Sequence, residues 1–195
     1  RTVTMKGLGS NFLVGGIASG EEAQEWVKVF EEYAQRPDLK GRFVYVPATG
    51  TKFMRLAAGA CDQWLHTPLE TREACGTSYQ RAAFNGHPSI ASWTGGPIEQ
   101  MGHNDEHGWI IRALDPSCGY TLEQVVEILN FDDNHPEKIK LVRIYKRRMQ
   151  EKLIGIIDRN GNESNGHGVL QGATALYQDR AAWSQYMKDV FDNAH

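Results

Sequence analysis

Residues 102–115 read Gly102-His103-Asn104-Asp105-Glu106-His107-Gly108-Trp109-Ile110-Ile111-Arg112-Ala113-Leu114-Asp115, a polar, histidine-bearing segment running straight into an apolar one. Trp109 to Leu114 has the aromatic and β-branched content of a strand, and the residues before it read as its polar entry. Downstream, Thr121 with Gln124 has the form of a capping box, and Leu122, Val125, Val126 and Leu129 recur at helical spacing up to Asn130. Asn134 and Pro136 then look like the start of another helix, while Ile139, Leu141, Val142, Ile144 and Tyr145 have the content of a strand, so two readings stand there. Leu153 to Ile157 resembles a strand, 158–168 a long polar turn, and Trp183, Tyr186, Met187, Val190 and Phe191 a closing helix.

Upstream, Gly76, Gly86, Gly95, Gly96 and Gly102 punctuate a region that reads as short strands and loops. Phe53, Met54, Ala57, Ala60, Cys61, Trp64 and Leu65 keep a helical period, predicting a helix from Thr51 to Leu65 stopped near Pro68. Arg42 to Val46, before Pro47, predicts a strand, as does Phe12-Leu13-Val14 between glycine-rich turns. Between them Trp26, Val29, Phe30 and Tyr33 predict an amphipathic helix over 21–35, with Ser19 and Glu22 in capping-box register. Helices and short strands that do not alternate regularly point to an α+β fold. The expectation is a single compact domain over 1–195, with short, mostly antiparallel strands and about four to five helices.

The 195 residues suffice for a core without disulfides or metal, and 41% hydrophobic with 23% charged residues is a globular composition. No apolar run approaches the roughly 20 residues that cross a bilayer, so no transmembrane segment is expected. With 21 basic and 24 acidic side chains, net charge −3, the whole molecule offers no strong field for nucleic acid. Arg1 in first position is compatible with processing and secretion, and Asn162-Glu163-Ser164 is a glycosylation triplet. Cys61, Cys75 and Cys118 are too few for a disulfide framework and lack zinc-knuckle spacing.

Four constellations could carry chemistry. Cys61 as a thiol nucleophile at a helix start, with His107 as base and Asp115 holding the imidazole, would make a thiol-dependent hydrolase or transferase, because a helix N-terminus favours thiolate. The order of a helical cysteine followed by a histidine at a strand start resembles that of papain-like hydrolases around these two residues, with no motif matched residue by residue. The plain alternative is that Cys61 is a small buried hydrophobe. His103, Asp105 and His107 alternate, so on an extended segment they share a face and could hold zinc with an open position for water. Asp158, Asn160 and Asn162 resemble the start of a calcium loop, but Glu163 and Val169 stand where glycine and the closing glutamate belong.

Finally, 138–152 carries seven cations (Lys138, Lys140, Arg143, Lys146, Arg147, Arg148, Lys152) against one acid, Glu151, a patch able to contact phosphate or an acidic surface. No Gly-x-Gly-x-x-Gly, Gly-Lys-Ser/Thr or Gly-x-Ser-x-Gly motif is present. Two functional classes therefore stand side by side. One is the Cys61/His107 enzyme; the other is a non-catalytic secreted or assembly-type protein with a protein partner, whose aromatic residues serve core and interface.

Overall fold

The computed structural model describes residues 11–47, 50–73, 75–101, 108–155 and 168–194. Among them are eight α-helices and five strands, and the chain divides into two compact units, Arg1–Ala60 and Cys61–His195.

In the first unit, β1 (Phe12–Gly15) and β2 (Phe43–Val46) pair in parallel, Phe12 opposite Phe43, with α1 (Glu21–Gln35) as the crossover and α2 (Thr51–Ala60) following. The predicted stripe on α1 packs on the sheet: Phe30 lies 6.1 Å from the Phe43 ring and 5.9 Å from Tyr45, and Tyr33 meets Phe43 edge-on. Phe43 and Leu39 are buried beneath it. Ser19 does not take the N-cap place that the Ser19/Glu22 spacing predicts. Gly20, at φ 91°, is the N-cap with no side-chain cap bond, a left-handed conformation that glycine adopts at little cost.

The second unit is built on β3 (Trp64–His66), β4 (Ser89–Ser92) and β5 (Gly108–Ile111), a parallel sheet in the order β3–β4–β5. Short helices α3 (Ser78–Ala83) and α4 (Gly95–Met101) connect the strands. All four residues of β4 are buried, as expected of a central parallel strand covered on both faces.

After β5 come a 3₁₀ turn (Pro116–Cys118) and the helices α5 (Leu122–Leu129), α6 (Pro136–Ile154), α7 (Val169–Gln178) and α8 (Arg180–Ala194). The Thr121/Gln124 capping box forms as the spacing predicts, each side chain meeting the other residue's backbone N–H. The open choice over 134–145 resolves as helix: His135 caps it, Pro136 takes the first turn, and Leu141, Tyr145 and Met149 put one buried face at i, i+4 and i+8. These three join Ile90, Ile111, Leu114, Val125, Ile128 and Leu129 in the core, where each buried large apolar side chain contributes about 1.5–3 kcal/mol. Helix α8 buries Trp183 and sets Tyr186 5.3 Å from the Trp109 ring of β5.

The expectation of an α+β fold with mostly antiparallel strands and four or five helices is overturned: both sheets are wholly parallel, with eight helices among the described residues, a mixed α/β arrangement. The reason is local. Strands of three or four residues are too short to show alternation, and the six- and seven-residue helices α3 and α4 lie among the glycines that read as turns. A helix between successive strands returns the chain to the same edge, which makes them parallel. The predicted helix from Thr51 to Leu65 also stops early, at Ala60, and its tail becomes β3.

Candidate active site

In a parallel sheet every strand ends on the same side, and open α/β sheets bind ligands at those carboxyl ends. In the second unit the residues at or just after the strand ends are His66 (β3), Trp93 (β4) and Arg112 (β5).

His66 is the best-defined group there. Its side chain is 10% exposed, its Nδ1 lies 3.2 Å from Ser78 Oγ, and its Nε2 lies 2.7 Å from Glu73 Oε2. The Glu73 contact is at ion-pair distance but outside hydrogen-bond geometry. Tyr79, buried in α3, packs 5.1 Å away, ring centre to ring centre, and burial pushes its phenol up to about 12. Gly76 lets the loop lie against the imidazole: a Cβ there would come 2.6 Å from His66 Cε1 and 2.8 Å from Nε2. Glu73 keeps a side chain 32% exposed, leaving acceptor capacity facing solvent.

Below this rim Glu70, 1% exposed, accepts from the backbone N–H groups of Ala113 and Leu114 and so ties the loop after β3 to the chain after β5. Burial pushes its carboxyl above the usual range, against the opposing pull of those two bonds and of Arg112 and Lys152. The carbonyl of Pro68 accepts from Ser92 Oγ at 2.6 Å and Tyr145 Oη at 2.7 Å, pinning the same loop to β4 and α6. Arg112 lies over the Trp93 ring, 4.3 Å from its centre, and its buried Nε has no hydrogen-bond partner among the described residues.

The residues singled out from sequence fall differently. Cys61 follows the end of α2 and does not open a helix, and burial, more than neighbouring Asp62, pushes its thiol up to about 11. His103, Asp105 and His107 lie outside the described residues, as does most of the 158–168 turn. Asp115 caps the 3₁₀ turn, accepting from Ser117 N at 2.9 Å, and is ion-paired with Arg148 and Lys152. Burial would raise it, but the Lys152 and Ser117 bonds outweigh this and hold its carboxyl well below the usual range. No group of three metal-ligating side chains occurs among the described residues.

The basic patch lies on α6 and is largely engaged. Lys138 reaches Asp133 and the Phe131 carbonyl, Lys140 pairs with Glu137 and Arg147 with Glu151, while Arg148 and Lys152 hold Asp115. No helix among the described residues is long and apolar enough to cross a membrane.

His66, Glu73 and Ser78 escape the sequence reading because Trp64 and Leu65 continue the helical period of the preceding segment, which hides β3. Once His66 is placed as the last residue of a parallel strand, its position alone marks it.

The second unit is thus a parallel α/β layer with a polar cluster at its carboxyl rim. The chain matches no protein-family model. It is similar to a glycogen phosphorylase of Mycobacterium tuberculosis, 35% identical over 83 residues that make up 43% of this chain and 9% of that protein. It is 31% identical over 88 residues to a glycogen phosphorylase of Aquifex aeolicus, 45% of this chain and 12% of that one. With a maltodextrin phosphorylase of Thermococcus litoralis it shares 29% identity over 98 residues, 49% of this chain and 12% of the relative. The matched stretch is under half of this chain and about a tenth of the curated relatives' length.

Proposed function

We propose that this chain acts in glycosyl transfer on α-glucans, binding a glucosyl unit and phosphate at the carboxyl rim of β3–β4–β5. The observation that carries the reading is the likeness to phosphorylases of glycogen and of maltodextrin from three organisms. By name such enzymes move a glycosyl unit between a glucan and phosphate, which needs acceptors for sugar hydroxyls and a cation for the phosphoryl group. The rim offers both types: the partly exposed Glu73 carboxylate, backed by His66, suits hydroxyl donors, and the Arg112 guanidinium, placed over the Trp93 ring, suits a phosphate fork.

The transferase half of the thiol reading fits this class of reaction, but a Cys61 nucleophile is not carried forward. A thiol pushed up to about 11 stays protonated near neutrality, and it is the thiolate that attacks.

Calorimetric titration with α-D-glucosyl phosphate and with a maltooligosaccharide tests the proposal. Saturable binding is expected for both, with Arg112→Met weakening the phosphate ester at least about tenfold and Glu73→Gln weakening both ligands. Folded protein that takes up neither ligand at about 10 mM would overturn it.

A further inference from the structure

We propose that Ser78, His66 and Glu73 form a nucleophile, base and carboxylate chain able to cleave carboxylic esters. A serine is activated when an imidazole within hydrogen-bond reach accepts its proton and a third group fixes that imidazole's tautomer. Here Ser78 Oγ is 3.2 Å from His66 Nδ1, and Glu73 Oε2 is 2.7 Å from the ring's other nitrogen, Nε2, acting on it by charge in a contact outside hydrogen-bond geometry. A carboxylate beside Nε2 favours the proton on that nitrogen, which leaves Nδ1 as the acceptor facing the serine. It also stabilises the imidazolium that forms when the serine attacks.

The ring is held for the task. It is nearly buried, packed against the tilted Tyr79 ring, and edged by Gly76, whose missing Cβ leaves room for the imidazole. Ser78 and Glu73 both keep partial access to solvent. A hydroxyl held only for structure would need neither the carboxylate behind the ring nor that access.

The step balances without a cofactor. As Ser78 Oγ bonds to the ester carbonyl carbon, its proton passes to His66 Nδ1. The carbon–oxygen bond to the alcohol then breaks and the departing oxygen takes that proton. Water attacks the acyl-serine, again giving its proton through Nδ1, and the carboxylic acid leaves with Ser78 regenerated. Glu73 touches no reacting atom and is a positioning residue.

This chemistry goes beyond glucan binding and does not depend on it, since its readout is covalent and needs no sugar. The test is reaction of the native protein with a fluorophosphonate, followed by peptide mass spectrometry to locate the adduct, alongside p-nitrophenyl acetate turnover. Phosphonylation of Ser78 with loss of fluoride is expected. Ser78→Ala should abolish the adduct and the turnover, and Glu73→Gln should slow both at least about tenfold, with the conservative Glu73→Asp recovering part of the rate. His66→Gln should be silent, and if it does not fold the other variants decide. An unmodified Ser78 in folded protein, or labelling whose rate ignores Glu73→Gln or gains nothing from Glu73→Asp over it, would overturn the proposal.

Discussion

Removing the Glu70 carboxylate should cost more stability than any polar change at the molecule's surface. Both of its oxygens accept from backbone N–H groups, of Ala113 and Leu114, and those two residues are 0% and 5% exposed. In Glu70→Ala both donors lose their partner where water does not replace it, a penalty of about 1–3 kcal/mol each. Against this, the carboxyl is pushed above its usual range by burial, so removing it also relieves the strain of a desolvated charge. The net expectation is a loss of about 2–4 kcal/mol for Glu70→Ala. Glu70→Gln, whose amide oxygen satisfies one N–H and whose NH₂ faces the other, should lose about half that.

Urea unfolding followed by tryptophan fluorescence suits the measurement, because Trp64, Trp93, Trp109 and Trp183 all belong to the Cys61–His195 unit and only Trp26 to the other. A heat scan should show a drop of about 3–4 °C per kcal/mol for a unit of this size. The pH dependence has a definite sign. A carboxyl whose folded value is raised contributes stability that is present in acid and is lost as pH climbs through that folded value. Replacing Glu70 by Gln should therefore flatten the decline that begins above the ordinary glutamate value of about 4.3. If Glu70→Ala unfolds within 0.5 kcal/mol of the parent, by the extrapolation of about 10–15% accuracy, the two N–H groups have other partners and the reasoning fails.

Asp115 carries the opposite sign, since its folded carboxyl is held low: the stability it contributes is lost as pH falls below the ordinary aspartate value of about 3.9. Acid titration of Asp115→Asn should lack that limb, and an unchanged acid midpoint would refute the network with Arg148 and Lys152. Gly96→Ala should destabilise by about 1–3 kcal/mol, because its Cβ would stand 2.2 Å from the Oη of buried Tyr79. Gly172→Ala, in α7 with nothing within 4 Å of the added methyl, should instead stabilise by about 0.5–1 kcal/mol; equal effects in denaturation would show that the space around these glycines does not decide. Alkylation near neutral pH should modify exposed Cys75 before Cys61, whose thiol is pushed up to about 11, and a faster Cys61 would revive the thiol enzyme. The zinc reading of His103, Asp105 and His107 requires stoichiometric metal in protein purified without chelator, and elemental analysis that finds none removes it.

What the sequence made legible is what local physics decides. The Trp26, Phe30, Tyr33 stripe gives α1 because those side chains share one face of a helix whatever lies opposite. Thr121 and Gln124 start α5 because the capping box is complete within four residues. Strand direction is a different kind of fact. Ser89-Ile90-Ala91-Ser92 has nothing in its own composition to say which way its neighbours run. Only the helices between the strands decide that, and two of them are short enough to pass for turns. The missed site follows from the missed direction. His66, Trp93 and Arg112 are far apart in sequence and share no motif. In an antiparallel sheet, residues ending successive strands would sit at alternating edges. In a parallel one they converge, and Glu73 from the loop after β3 and Ser78 from the first turn of α3 meet His66 at the same rim. A single bit of topology thus turns scattered polar residues into a site, and no longer scan of side-chain patterns would have supplied it.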